Sequence, residues 1–110
     1  MSESKSSDPV DALLKANALV VFSATYCPYC TKVKKLLKDL GANAKIVETN
    51  VEKNGAELKK SLLAKTGRSS VPQVFVAGKF IGGCNDGPGV MPLHQSGKLV
   101  PMLKEAKAVL

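Results

Sequence analysis

The sequence predicts an α/β domain in which a four-stranded mixed sheet carries helices on both faces. Three observations lead there. The apolar run Ala18-Leu19-Val20-Val21-Phe22 is followed by a lysine-studded segment of helical periodicity and then by a second short apolar run, the pattern of a strand–helix–strand unit. Val71 to Gly82 reads as two β-rich runs joined at Ala77-Gly78-Lys79, the signature of a hairpin. Between the first run and its helix stands Thr25-Tyr26-Cys27-Pro28-Tyr29-Cys30-Thr31, and a Cys-x-x-Cys at such a junction is first of all a redox motif.

Length and composition agree with one domain. The chain has 110 residues, enough to bury a core without disulfide or metal staples, and is read as a single domain over 1–110 with a flexible polar N-terminus over 1–8. No apolar run approaches the roughly 20 residues of a membrane span, so no membrane partner is expected. Met1 to Asp8 lacks the apolar core of a signal peptide, which points to the cytoplasm. Three cysteines make no disulfide framework and suit a reducing compartment. The net charge is +7, but the basic residues are dispersed and only two tyrosines and three phenylalanines could stack on bases. Nucleic acid is therefore not the expected partner, and the charge suits anionic small molecules or acidic proteins.

Each element has its own signal. Asp8-Pro9 resembles an N-cap with proline at the first helical position, and Val10, Leu13 and Leu14 give a short helix ending near Asn17. Leu19 to Ser23 is apolar almost throughout, which places it at the sheet centre, covered on both sides. From Pro28 to Leu40 the stripe Cys30, Val33, Leu36, Leu37, Leu40 opposes Lys32, Lys34, Lys35 and Lys38, and Gly41 closes the helix. Ala44 to Val51 reads as a second strand. Asn54-Gly55-Ala56-Glu57 has the form of a capping box opening a helix with Leu58, Leu62 and Leu63 inward and Gly67 at its end. The hairpin supplies strands Val71–Ala77 and Phe80–Gly82. Gly87-Pro88-Gly89 and Pro92 make any helix between 85 and 97 short and late, and Leu99, Met102, Leu103, Ala106 and Leu110 mark a last amphipathic helix. One parallel crossover followed by an antiparallel hairpin is the thioredoxin-like arrangement.

Thiol–disulfide exchange needs a thiolate, and an ordinary cysteine with a pKa near about 8.5 supplies little at neutral pH. Because Pro28 suits a helix start, the Cys27 sulfur should sit at the helix N-terminus, where free N–H groups and the dipole favour an anion. Cys30 lies one turn on, facing inward. The outer thiol attacks and the inner one resolves, while Pro28 and Tyr29 tune the potential. Zinc would want a second pair, and only Cys84 and His94 remain, so no metal is expected.

The chain is similar to a glutaredoxin of the dithiol class with Cys-Pro-Tyr-Cys. The resemblance runs from about Val10 to Leu110 and includes Thr66-Gly67, Ser70-Val71-Pro72, Gly82-Gly83 with Asn85-Asp86, and Ser96-Gly97-Lys98-Leu99. It implies a glutathione-dependent oxidoreductase that reduces protein–glutathione mixed disulfides and some protein disulfides. Cys27 and Cys30 are then catalytic, glutathione is co-substrate, no cofactor is tightly bound, and the protein is a monomer. It also implies a glutathione site built from Tyr29, Lys59, Arg68, Val71, Pro72, Gly83, Asn85 and Asp86. A cis Pro72 presents the Val71 backbone to the cysteinyl unit, Asn85 and Asp86 hold the γ-glutamyl end, and Lys59 lies near the glycyl carboxylate.

Two departures stand out. The family lysine three residues before the first cysteine is Ala24 here, and the family's basic residue before the proline segment falls at Ser69, with Arg68 one position earlier. Arg68 together with Lys59 is expected to replace that lysine in part. Gly87-Pro88-Gly89 resembles an insertion before a helix whose N-terminus, in the family, helps bind the γ-glutamyl carboxylate. Cys84 reads as a small, semi-buried apolar residue at the pocket rim. The competing functions are a dimeric [2Fe–2S]–glutathione module, which the bulk of Pro28 disfavours, and a thioredoxin-type reductant, whose usual Trp-Cys-Gly-Pro-Cys is absent.

Overall fold

A computed structural model describes residues 8–108. Its elements, in chain order, are α1 (Pro9–Ala16), β1 (Leu19–Ser23), α2 (Pro28–Asp39), β2 (Lys45–Glu48), α3 (Gly55–Thr66), β3 (Gln73–Val76), β4 (Lys79–Gly82), α4 (Val90–Gln95) and α5 (Leu99–Glu105). The sheet order is β2-β1-β3-β4, with β1 parallel to β2 and antiparallel to β3, and β3 antiparallel to β4. This is the predicted mixed sheet.

All five residues of β1 are buried, and their alternation divides the core. Leu19 and Val21 face a cluster with Val33 and Leu37 of α2, Val90 of α4, and Leu99 and Leu103 of α5. Val20 and Phe22 face the other side, where Val10 of α1 and Leu58 and Leu62 of α3 pack, and Phe22 meets the Phe75 ring edge-on at 5.7 Å. Helices therefore cover both faces.

Several boundaries differ from the sequence reading. Asp8 is not part of a loose tail: its carboxylate accepts from the N–H groups of Val10 and Asp11, at 2.9 and 3.2 Å, and from Ser61 at 2.6 Å. The remaining residues assigned to that tail, 1–7, and Leu110 lie outside the described residues. β2 is shorter than Ala44–Val51 because the chain turns after Glu48, with Thr49 held to the Ser23 carbonyl through both N–H and hydroxyl. The capping box does not form, since Asn54 makes no side-chain cap. Instead Gly55 sits against Thr49, whose carbonyl a Cβ at 55 would overlap. Leu63, read as inward, is half exposed. β3 starts at Gln73 rather than Val71, because Val71-Pro72, a cis bond, lies in the bend before it.

Candidate active site

Cys27 is the N-cap of α2, with Pro28 at the first helical position. Its sulfur accepts the Cys30 N–H at 3.1 Å and lies 3.9 Å from the Val71 carbonyl oxygen. The loop before it is tied down by Asn50, which accepts the Thr25 N–H at 3.0 Å and donates to the Thr25 hydroxyl at 2.8 Å. Cys27 is 9 % exposed, whereas Cys30 is fully buried in a small cluster with Ala24 and Val71. All three cysteines are free thiols. Burial, and after it the side chain of Cys27, pushes the Cys30 thiol up to about 11. The geometry thus separates an outer sulfur with an amide donor from an inner one kept protonated.

A cleft of about 320 Å³ opens beside this pair, lined by Tyr29, Arg68, Ser70, Val71, Pro72, Gly83, Cys84, Asn85 and Asp86. Seven of the eight residues assigned above to ligand binding are therefore gathered in one place. Gly83 has no room for a side chain, since a Cβ would come within 2.9 Å of the Pro72 oxygen and 3.1 Å of Asp86 Oδ1. Cys84 is buried at the rim, and burial raises its thiol pKa.

Lys59 is the exception, standing on α3 and not among the residues lining the cleft. Arg68 is in the cleft but already engaged. Its Nη1 donates to Asp86 Oδ2 at 2.9 Å, and its guanidinium lies 5.3 Å from the centre of the Phe80 ring. Arg68 is thus directed to the Asp86 end of the cleft.

The sequence reading missed Gln73. Fully buried at the start of β3, it donates to the carbonyls of Arg68 and Ser70 at 2.8 and 2.9 Å and accepts from the Thr66 hydroxyl at 3.0 Å. These bonds hold the 66–70 segment that forms one wall. A lone amide in the otherwise apolar run Val74-Phe75-Val76 was the available signal.

A mixed four-stranded sheet with a reactive cysteine capping a helix and a buried one a turn further on defines a thioredoxin-like thiol oxidoreductase. A sequence model of the family described as Glutaredoxin matches residues 19–81. A glutaredoxin of Ricinus communis is 53% identical over 97 residues, covering 88% of this chain and 92% of its own. A glutaredoxin of Vernicia fordii is 50% identical over 97 residues, covering 88% and 90%. The crystal structure of a buckwheat glutaredoxin–glutathione complex superposes with a TM-score of 0.85 at 48% identity, covering 90% of this chain and 87% of that one. The chain belongs to the glutaredoxin family, whose members are thiol oxidoreductases.

Proposed function

We propose that this protein is a glutathione-dependent thiol–disulfide oxidoreductase acting on protein–glutathione mixed disulfides and on some protein disulfides, as a monomer in the cytoplasm. The observation that carries the reading is the position of the Cys27 sulfur, which meets the Cys30 amide on one side and the Val71 carbonyl of the cleft wall on the other. A glutathionyl group seated in the cleft would bring its sulfur to Cys27.

In the first step the Cys27 thiolate attacks the glutathione sulfur of the mixed disulfide. The substrate thiolate leaves and takes up a proton, and Cys27 becomes glutathionylated. A second glutathione thiolate then attacks that sulfur, giving glutathione disulfide and regenerating Cys27. With a protein disulfide, Cys27 forms a mixed disulfide with the substrate and Cys30 displaces it, leaving a Cys27–Cys30 disulfide that two glutathiones reduce. Burial, and after it the Cys27 side chain, keeps the proton on Cys30 in the free protein.

The test is a glutathione-coupled assay with a small glutathionyl mixed disulfide. Cys27→Ser should lose all activity, and Cys30→Ser should keep mixed-disulfide reduction while losing reduction of protein disulfides. Activity surviving in the first variant refutes the assignment. Recycling by thioredoxin reductase instead of glutathione would favour the thioredoxin-type reading, and visible absorbance of anaerobically purified protein the cluster-binding one.

A further inference from the structure

Four large apolar side chains stand more than half exposed among the described residues: Tyr26 at 71%, Val51 at 66%, Tyr29 at 55% and Leu63 at 51%. Leu63 is on α3. The other three belong to the segments around Cys27, and they include both tyrosines of the chain. Apolar side chains left in water and grouped beside a reactive centre mark a surface that another molecule covers in use.

The sheet order sets where they lie. β1 and β2 are parallel, so the turn after β2 comes out beside the loop after β1. Thr49 is held to the Ser23 carbonyl, and Asn50 makes two hydrogen bonds to Thr25, which places Val51 and Tyr26 on neighbouring segments. β3 runs antiparallel along the other edge of β1, so the Val71-Pro72 bend before it and the end of β4 come out on the opposite flank. Cys27 therefore has the cleft on its β3 side and Tyr26 with Val51 on its β2 side. Attack on a disulfide is in line: the bond from Cys27 to the glutathione sulfur forms as the bond from that sulfur to the substrate's cysteine breaks, and the substrate's sulfur leaves as a thiolate. With the glutathionyl group filling the cleft, the polypeptide on the leaving sulfur must lie outside it, and the surface next to Cys27 on the free flank is the apolar one.

We propose that Tyr26 and Val51 form a docking surface for the polypeptide half of the mixed disulfide, and that the occupant is an apolar side chain next to the glutathionylated cysteine. A tyrosine suits the task, since its ring gives contact area for little lost rotamer freedom. This rests on the glutathione reading above and adds to it a choice among proteins. Glutathione recognition cannot make that choice, because the glutathionyl group is the same in every such substrate.

The experiment measures kcat/KM of the wild type, Tyr26→Ser, Tyr26→Phe and Val51→Ser on three glutathionyl mixed disulfides: those of mercaptoethanol, of a short peptide with leucine on both sides of its cysteine, and of the same peptide with serine there. Scaled as partial burial of one apolar side chain, the wild type should prefer the leucine peptide by about fivefold, and Tyr26→Ser by less than about twofold. Tyr26→Phe keeps the ring and should keep the preference, with Val51→Ser between. Because each protein is read as a ratio of two peptides, a general loss of rate in a variant cannot pass for lost docking. Equal kcat/KM for the two peptides in the wild type, or a preference that survives in both serine variants, overturns the inference while leaving the glutathione reading standing. A wild type that fails on the mercaptoethanol disulfide removes both. Sedimentation of the wild type as a dimer and of Tyr26→Ser as a monomer would assign the surface to a second copy of the chain, and that also overturns it.

Discussion

Two helix N-termini of the molecule have opposite characters. That of α2 belongs to a helix of twelve residues, starts with proline, and gives the Cys30 amide to the Cys27 sulfur. That of α4 belongs to a helix of six residues, is capped by Gly89 without a side-chain bond, and turns its first amides onto neighbouring carbonyls. A helix start attracts an anion only where its N–H groups are unspent. The first can therefore serve a sulfur, while the second has its first amides spent on carbonyls of the fold.

The largest effect is expected from breaking the loop that closes off the α4 terminus. Gly82 has φ 110°, and a Cβ there would lie 2.6 Å from the Gly89 nitrogen and overlap the Asp86 carbonyl, all of it backbone. Gly82→Ala should cost roughly 3 kcal/mol or more, from backbone strain plus overpacking, measured by denaturant unfolding. An unchanged midpoint would mean the loop is not held in this form. Next comes Gln73→Leu, which takes a donor from the carbonyls of Arg68 and Ser70 and should cost about 1–3 kcal/mol. Because the same segment carries Arg68, its KM for the glutathionyl substrate should rise more than its kcat falls. A pure stability loss with unchanged KM would separate Gln73 from recognition.

The two termini were not equally legible in the sequence. The strand before Cys27, the proline after it and the inward stripe of α2 are local signals, and each kept its meaning in the fold. Pro72, Gly83 and Asp86 were placed by resemblance, and they gather because the sheet order brings the start of β3 beside the end of β4. Arg68 lines the cleft and Lys59 is not among the residues that do, and neither position is set locally. Which carboxylate Arg68 meets depends on a loop eighteen residues away, and Lys59 follows the roll of α3 about its axis. At its start Gly55 lies on Thr49 rather than in a cap, and further along Leu63 is left half exposed. A glycine read as part of a cap was a close-packing residue, a distinction that sequence spacing does not carry.

The inner cysteine of the α2 terminus makes a pH prediction of smaller size. The Cys30 thiol is raised from an ordinary 9.0 to about 11, chiefly by burial. Between those values the unfolded chain has released the proton that the folded chain still holds, so the folded state binds more protons there and stability must fall as pH rises. Below about 9 both states hold the proton and this contribution is flat. Burial also raises the Cys84 thiol, so the measurement is a difference. The reduced wild type should lose stability between pH 9 and 11 more steeply than Cys30→Ser, and equal slopes would show that Cys30 is not the buried acid of the pair.

The smallest effect tests whether the α2 terminus needs its loop held. Asn50 clasps Thr25 with two hydrogen bonds, but both groups are exposed, so water can replace either bond. Asn50→Ala should therefore cost no more than about 1 kcal/mol of stability. Its effect on rate is the informative part. The Cys27 sulfur is positioned mainly by Pro28 and the Cys30 amide, which lie inside the helix and do not depend on Asn50. Single-turnover reaction of reduced protein with a glutathionyl disulfide should stay within about twofold of wild type, the change expected when a neighbouring exposed bond is exchanged for water. A tenfold slowing at intact stability would move part of the positioning of the Cys27 sulfur from the helix start to the loop before it.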